Sequence, residues 1–360
     1  MAESTFPCMH CGAELEYKPG TRHLRCGHCG GENDIPEIEQ AVEELDFGKM
    51  MAELGDAAEQ QDKMVVHCTS CGADCEMAAN TTSQSCPFCG SNIVATGRSQ
   101  KHIKPKSLLP FKIDRNVATE KFRSWLSSRW FAPSDLKRQA AIEGDATYKS
   151  GAGLAGLYLP HWTFDAKAIT TYAGQRGDDY TVTTGSGKNR RTETRTRWRW
   201  VSGTVHNTFD DVLVPASTSL PRKKLDDLAD WDLKELVPYQ DAYLSGYRAE
   251  SYTIDLPAGF DLGRGIMIGR IEDTIRSDIG GDHQRITTMN PKFRDLTFKH
   301  ILLPLWVSAY RYNGKVYRFL VNARTGAVSG ERPYSAWKIA GAVLAGLVVI
   351  GIIALFASQR

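Results

Sequence analysis

Cys8-Met-His-Cys11, followed fourteen residues later by Cys26-Gly-His-Cys29, is the stretch that determines the fold of the N-terminal part of this chain. The pattern returns 60 residues further on as Cys68-Thr-Ser-Cys71 and Cys86-Pro-Phe-Cys89, again fourteen residues apart. A glycine follows each pair, so the backbone can turn and direct two thiolates at one metal ion. Two such turns separated by the length of a β-hairpin are typical of a zinc ribbon. The sequence therefore predicts two structural Zn²⁺ sites, with the ligands Cys8, Cys11, Cys26 and Cys29 in the first and Cys68, Cys71, Cys86 and Cys89 in the second.

Disulfides are the alternative explanation of paired cysteines, and they are commonest in secreted chains. The N-terminal sequence MAESTFPC has neither the basic nor the apolar region of a signal peptide, so we expect reduced cysteines in a cytoplasm. The ninth cysteine, Cys75, is expected to be a bystander. Four thiolates complete a tetrahedron and leave no position for a catalytic water. We therefore interpret the neighbouring histidines as surface or supporting groups rather than ligands: His10, His23, His28 and His67.

The second decisive segment is IAGAVLAGLVVIGIIALFA, residues 339–357, which carries no charge. Nineteen residues at about 1.5 Å each span about 28 Å, close to the thickness of a bilayer core. A buried core helix is the alternative, but core helices rarely lack a polar stripe. We predict a single transmembrane helix at 338–357 that acts as a tail anchor. Arg324, Arg332 and Lys338 precede it, which indicates a bacterial inner membrane protein with its main domains in the cytoplasm.

Composition limits the remaining possibilities. Hydrophobic residues make up 42% of the 360 residues, enough for a sizeable core, and a net charge of +2 argues against a chain that is basic throughout. We predict an α+β fold with two N-terminal Cys₄ zinc ribbons, a β-rich mixed domain and one C-terminal transmembrane helix. The expected boundaries are ribbon 1 at 1–35, an acidic helical linker at 36–63, ribbon 2 at 64–97, a basic linker at 98–110, the α+β domain at 111–336 and the membrane helix at 338–357.

Inside the α+β domain, residues 117–131 predict a helix that ends before Pro133, and Ser134 is suited to cap a second one. Residues 157–175 and 197–217 have the alternation of strands, and residues 227–239 indicate a short helix. Asn313-Gly314 predicts the turn of a β-hairpin. The side chains expected to face inward from the first helix are Phe122, Trp125, Leu126 and Trp130.

A second repeat is more subtle. Tyr158-Leu-Pro-His-Trp162 and Leu302-Leu-Pro-Leu-Trp306 share the pattern apolar-Leu-Pro-x-Trp at a distance of 144 residues. The likeness indicates either chance or a duplicated half-domain, and the sequence leaves both open.

The densest basic stretch is Lys188 to Trp200, with six Lys or Arg and one Glu. If this stretch is a strand, its last arginines share one face, and Trp198 and Trp200 share the other. Such a line of cations can follow phosphates or anionic lipids, or it can protect an exposed sheet edge from aggregation. The candidate nucleic-acid-binding residues are Lys188, Arg190, Arg191, Arg195, Arg197 and Arg199.

Catalytic motifs give no positive signal. GSGKN at residues 185–189 lacks the first glycine and the final Ser or Thr of a phosphate-binding loop, so no nucleotide is expected. The adjacent acids Asp178-Asp179 and Asp210-Asp211 point to opposite faces if they lie in strands, which argues against carboxylate pairs. We expect no enzymatic activity, and the remaining enzyme hypothesis centres on Asp165, Asp210 or His283.

Several segments together resemble a known family. They are the duplicated ribbons and LPFKIDRNVATEKFRSWLSSRWFAPSDLKR, YLPHWTFDA, YAGQRGDDY, GTVHNTFDDVLVPAS, DIGGDHQRI, FKHILLPLWVSAYRYNGKVYRFLVNARTG and GERPYSAWKI. They are similar to bacterial zinc-ribbon membrane proteins often labelled primosomal protein N′ (replication factor Y) or superfamily II helicase-like. The resemblance covers nearly the whole chain and implies its architecture and zinc ligands. A helicase needs a nucleotide loop and two motor domains, so ATP-driven unwinding is not implied.

Two functions are consistent with these features. The first is a membrane-anchored adaptor or scaffold, whose partners are the lipid bilayer and one or more proteins. The second is a membrane-tethered nucleic-acid-binding accessory protein that uses the ribbons and the arginine-rich strand.

Overall fold

A computed structural model describes residues 6–13, 15–38, 42–53, 60–67, 73–76, 83–85, 92–94, 98–136, 154–185, 190–228, 230–313 and 315–358. They form a strand-rich α+β fold with one apolar C-terminal helix, so the predicted fold class is confirmed at this level. The strands are β1 (Leu15–Tyr17), β2 (His23–Cys26), β3 (Glu32–Asp34), β4 (Leu45–Asp46), β5 (Gln60–His67), β6 (Asp74–Glu76), β7 (Ser83–Ser85), β8 (Asn92–Val94), β9 (Arg98–Ile103), β10 (Ser107–Leu108), β11 (Ala155–Thr184), β12 (Arg191–Pro215), β13 (Val237–Pro238), β14 (Arg248–Ala249), β15 (His283–Tyr312), β16 (Lys315–Asn322) and β17 (Val328–Gly330). The helices are α1 (Phe47–Glu53), α2 (Arg115–Ser127), α3 (Arg222–Asp226), α4 (Leu256–Ile279) and α5 (Ala336–Ser358), with short 3₁₀ turns at Leu233–Glu235 and Asp241–Leu244.

Three long antiparallel strands form the centre of the molecule. β11, which is 30 residues long, pairs with β12 from His161 to Thr184 and with β15 from Ala155 to Gly177. At about 3.3 Å per residue a straight strand of 30 residues would extend about 100 Å. An extra residue interrupts the ladder with β12 opposite Asp165 and the ladder with β15 opposite Ala166, and Asp211 and Asp295 at these two places have positive φ angles, of 49° and 50°. All three strands are therefore irregular at the same level, as β-bulges require.

Helix α4 covers one face of these strands. The side chain of Asp255 caps its first turn by accepting a hydrogen bond from the N–H of Ala258. A Cβ on Gly259 would lie 2.5 Å from the Trp162 ring, so glycine permits the close approach of helix and sheet. This helix was not predicted from the sequence. Its buried stripe recurs almost every four residues, at Leu256, Gly259, Gly263, Met267, Ile271, Ile275 and Ile279.

The segment predicted to be the first ribbon is joined to the main domain rather than separate from it. β1, β2 and β3 form a small antiparallel sheet, and Tyr17 at the end of the edge strand β1 is 3% exposed. The Tyr17 ring packs edge-on against Tyr243 at 5.2 Å between centroids, and its hydroxyl lies 3.2 Å from the carbonyl oxygen of Phe111. The backbone N–H of Gly20 donates to the same carbonyl at 2.9 Å. Ribbon and domain therefore share one hydrophobic core.

The two apolar-Leu-Pro-x-Trp segments are neighbours in the sheet. Leu159 of β11 pairs with Leu303 of β15, and the ladder runs symmetrically outward from this pair, with Tyr158 opposite Pro304 and Pro160 opposite Leu302. The equivalent leucines Leu159 and Leu303 thus face each other, and the flanking positions of the two segments are related by a local twofold axis through this pair.

The structures predicted for the two linkers, residues 36–63 and 98–110, were wrong. Among the described residues of the range 36–63, which was expected to be helical, Phe47–Glu53 is the one helix, and it follows a short strand that pairs with β15. Burial explains the difference, since the Phe47 ring packs on Phe260 and Phe298 of the core instead of facing solvent. Residues 98–110 are not a free linker either, because β9 pairs with β5 and β10 inserts between β15 and β13.

The first predicted helix is shorter than expected. It runs from Arg115 to Ser127, with Asp114 as its N-cap, and buries Phe122 and Leu126 as predicted. Trp130 was expected to face inward, but it lies beyond the helix and is 75% exposed. Only the first turn of the helix predicted from Ser134 lies within the described residues. The hairpin turn at Asn313, with a φ angle of 48°, is confirmed.

Candidate metal centre

Four cysteines converge at one end of the ribbon. The Sγ atoms of Cys8 and Cys29 are 3.6 Å apart, those of Cys11 and Cys26 are 3.5 Å apart, and all four lie within 4.8 Å of one another. With metal–sulfur bonds of about 2.3 Å, a tetrahedral zinc site has sulfurs about 3.8 Å apart. The donor set therefore fits one tetrahedral metal ion, and the cluster could hold it.

Tight backbone turns hold the thiols in place. The N–H groups of Gly12 and Gly30 donate to the carbonyl oxygens of Cys8 and Cys26, at 2.8 and 3.1 Å. Both glycines have positive φ angles, of 74° and 73°, which residues other than glycine rarely adopt. The two halves of the site are thus equivalent, as their sequences predicted.

Backbone donors already favour thiolates at two of the four positions. The N–H of His10 lowers the pKa of Cys8, and the N–H of Cys29, 3.5 Å from the sulfur, lowers the pKa of Cys26 to about 6. At Cys11 the N–H of Ala13 acts to lower the pKa, but hydrogen bonds with the Cys29 and Cys26 thiols outweigh it and raise the pKa to about 12. A bound cation would replace these shared protons.

No histidine belongs to this cluster within the described part of the chain. His23 is instead hydrogen-bonded to Asp34, with 2.6 Å between Nδ1 and Oδ1. His10 lies beside the site, since a Cβ on Gly31 would be 2.8 Å from its ring. The four ligands predicted for the second site, Cys68, Cys71, Cys86 and Cys89, lie outside the described residues.

The C-terminal helix is the second predicted feature. Among the described residues, one helix is long and apolar enough to cross a membrane, at Ala336–Ala354, and none of that span is buried. Exposed apolar residues such as Leu344, Leu347 and Ile350, all more than 60% exposed, would be unfavourable in water.

The described part of the arginine-rich stretch lies in strand β12 from Arg191 onward, so the condition set for a line of arginines is met. Arg195, Arg197 and Arg199 occupy alternate positions of β12, opposite Tyr180, Asp178 and Arg176 of β11. Two of these three arginines already form ion pairs: Arg199 lies 3.6 Å from Asp178, and Arg195 lies 3.4 Å from Glu193. Arg190 and Arg191 begin the strand region, and Lys188 lies outside the described residues.

Asp165 belongs to a charge cluster that the sequence did not reveal. The Nζ atom of Lys299, whose side chain is 7% exposed, lies 2.8 Å from Asp211, 3.1 Å from Glu44 and 3.5 Å from Asp165. Burial raises the pKa of Asp165. Burial also acts to lower the pKa of Lys299, but the hydrogen bond and charge of Asp211 outweigh it, so the ammonium stays charged. The four groups come from distant parts of the chain, so no local motif could predict their meeting.

The adjacent acids Asp178 and Asp179 point to opposite faces of β11, as predicted, since Asp178 accepts a hydrogen bond from Arg176 and Asp179 accepts one from Thr196. His283 begins β15, with its Nε2 atom 3.1 Å from the Asp179 carboxylate.

A comparison with known proteins finds 25% identity over 349 residues with "Uncharacterized protein YdjG" of Bacillus subtilis (strain 168), covering 93% of this chain and 92% of that protein. No family model matches the sequence, and no solved structure matches it.

Proposed function

We propose that the protein is a single-pass membrane adaptor, carrying zinc-ribbon hairpins and a strand-rich binding domain on the cytoplasmic side of the membrane. The observation that supports this most is the four-cysteine cluster, whose spacing fits a closed tetrahedral site with no position for substrate. Such a site stabilises a fold rather than catalysing a reaction. The unburied apolar helix supplies the anchor.

The long sheet offers a surface for a protein partner. Within the described part of the molecule, β12 pairs with β11 alone, so its other edge has backbone groups available for pairing over much of 25 residues. An extended segment of a partner can add to such an edge through main-chain hydrogen bonds. Trp200 on this strand is 69% exposed and would contribute apolar contact area.

Photo-crosslinking in native membranes tests the adaptor function. The photo-reactive amino acid p-benzoylphenylalanine would replace Trp200 on β12. In a matched control protein it would replace Val316, which is 49% exposed in the hairpin of β15 and β16. We expect one discrete protein adduct from position 200 and none from position 316. Intact, membrane-bound protein without an adduct from position 200 would contradict the adaptor function.

The alternative is a nucleic-acid-binding protein tethered to the membrane. Three arginines on one face of β12 favour it, although the nearby Asp178 and Glu193 reduce their net charge. The test is binding of labelled single-stranded DNA and RNA to the full chain in detergent, titrated with salt. Replacing Arg195, Arg197 and Arg199 with Gln should abolish binding, whereas Gln at Arg222, Lys223 and Lys224 on α3 removes equal charge and should have little effect.

A further inference from the structure

The segment after α2 lies against the start of the apolar helix. The backbone N–H of Ser335 donates to the carbonyl oxygen of Phe131 at 2.8 Å, and the Lys338 ammonium donates to the carbonyl oxygen of Ala132, also at 2.8 Å. Residues 128–133 are therefore fixed beside the first turn of α5. They come from a distant part of the sequence, more than 200 residues earlier.

Large aromatic side chains are exposed around this junction. Trp130 is 75% exposed, Tyr334 62% and Trp337 89%. In water three such exposed rings around one junction would add unfavourable apolar surface. Tryptophan and tyrosine are enriched where membrane proteins pass from the bilayer core into the headgroups, because their rings are apolar and their N–H or O–H groups are polar.

The charges at the junction favour an anionic surface. The guanidinium of Arg332 lies 5.2 Å from the Tyr334 ring, and that of Arg129 lies 5.0 Å from the Trp125 ring. Lys338 adds a third cation. Two acids oppose these three cations: Asp135 accepts a hydrogen bond from the Tyr312 hydroxyl at 2.8 Å, and Glu331 accepts one from the backbone N–H of Arg318 at 3.3 Å. The net positive charge would attract acidic headgroups.

We propose that residues 128–133, with Tyr334 and Trp337, form a second contact with the bilayer, in the headgroup layer, and that this contact prefers anionic phospholipids. The inference rests on the membrane anchor of the proposed function. If α5 enters the bilayer at Ala336, Ser335 lies at the membrane surface. Trp130 is the residue next to Phe131, whose carbonyl oxygen is hydrogen-bonded to Ser335. The Trp130 ring is therefore placed at the headgroup layer, which is roughly 5–8 Å thick on each side. The contact would fix the orientation of the domain on the membrane.

Photo-crosslinking of the full chain in vesicles of phosphatidylcholine and alkyne-tagged phosphatidylglycerol tests this contact. The benzophenone residue is placed at Trp130, with Tyr334 as a second probe of the same surface. Trp200 is the matched control, because it is a similarly exposed tryptophan on β12. Val343, 58% exposed inside the apolar helix, reports on the anchor itself.

We expect lipid adducts at positions 130, 334 and 343, and no lipid adduct at position 200. Adducts at 343 without adducts at 130 and 334 would overturn the inference and leave the anchor intact. No adduct at 343 would overturn the anchor and this inference with it. When tagged phosphatidylcholine replaces the tagged anionic lipid, the yield at 130 should fall several-fold, and an unchanged yield would overturn the preference for anionic headgroups.

Discussion

Trp162 and Trp306 make the same hydrogen bond in opposite halves of the domain. The indole N–H of Trp162 donates to the carbonyl oxygen of Ile254, and that of Trp306 donates to the carbonyl oxygen of Ile113, both at 2.9 Å. Each isoleucine stands directly before the aspartate that caps a helix, Asp255 of α4 or Asp114 of α2. A tryptophan on β11 therefore fixes the start of α4, and a tryptophan on β15 fixes the start of α2.

Backbone hydrogen bonds repeat the same relationship. The N–H of Ala216 donates to the carbonyl oxygen of Pro160, and the N–H of Ala323 donates to that of Pro304. The carbonyl oxygens of Ala216 and Ala323 in turn accept bonds from the N–H groups of Ile254 and Ile113, respectively. These matched contacts support a duplicated half-domain, which stays a prediction.

The first prediction concerns these tryptophans. Trp162→Phe and Trp306→Phe each leave a carbonyl oxygen without its donor and a gap in the core. We expect each to lower the free energy of unfolding by about 1–3 kcal/mol, and by similar amounts because the bonds are equivalent. Urea denaturation followed by circular dichroism measures this. Trp200→Phe, at an exposed position, is the control and should have little effect. A large difference between the two variants would contradict the equivalence.

The second prediction concerns Lys299. Lys299→Met removes a buried cation and leaves the partly buried carboxylates of Asp165 and Asp211 unpaired, and we expect a loss of about 3 kcal/mol in the free energy of unfolding, the lower end of the range for buried pairs. Lys167 on β11 is the matched control. It pairs with Asp295 at 2.9 Å, but its side chain is 65% exposed, so Lys167→Met should change stability by less than about 1 kcal/mol. Equal effects in the two variants would show that burial does not determine the strength of these pairs.

The third prediction is a pH dependence that arises from His161. Burial lowers the pKa of this histidine to about 4, and its Nδ1 atom lies 3.0 Å from the carbonyl oxygen of Leu159. The unfolded chain therefore binds the proton more readily than the folded one. The contribution of His161 is fully present above the unfolded pKa of about 6.5 and is lost as the pH falls toward 4, with a total of roughly 3 kcal/mol.

The variant His161→Gln tests this pH dependence, because it removes the titration. Its stability should fall less steeply than that of the wild type between pH 6.5 and 4 in urea denaturation. His206→Gln changes an exposed histidine of β12 and should retain the wild-type slope. Parallel curves for the wild type and His161→Gln would contradict the assignment.

The fourth prediction concerns the coupling between the ribbon and the domain. Cys26→Ser should prevent metal binding at the first site and release the packing of Tyr17 against Tyr243. Because ribbon and domain share one core, we expect faster amide hydrogen exchange both in residues 15–35 and around Phe111. Exchange in α4, which packs on the other core, should not change. Faster exchange confined to the ribbon would contradict the shared core.

Local sequence patterns predicted some features, and contacts between distant residues determined others. The Cys-x-x-Cys-Gly turns, the turn at Asn313 and the apolar helix each depend on neighbouring residues, and all were predictable. Helix α4 was missed because its glycines weaken the helical signal and acquire their role only against Trp162 and Phe164. Its Asp255 cap followed by Pro257 was a usable signal. Trp130 was expected to face the core because the helix was expected to continue to residue 131. The helix ends at Ser127, so the 3.6-residue periodicity does not determine where Trp130 lies.

The metal content of the full chain tests the central claim most directly. We expect elemental analysis of protein purified in detergent from washed membranes to find two zinc ions per chain. Cys11→Ser and Cys71→Ser should each reduce this to one, and Cys75→Ser should leave two. Membrane-extracted protein that contains no zinc, or whose zinc content is the same after Cys11→Ser, would contradict the account of an anchored zinc-ribbon protein.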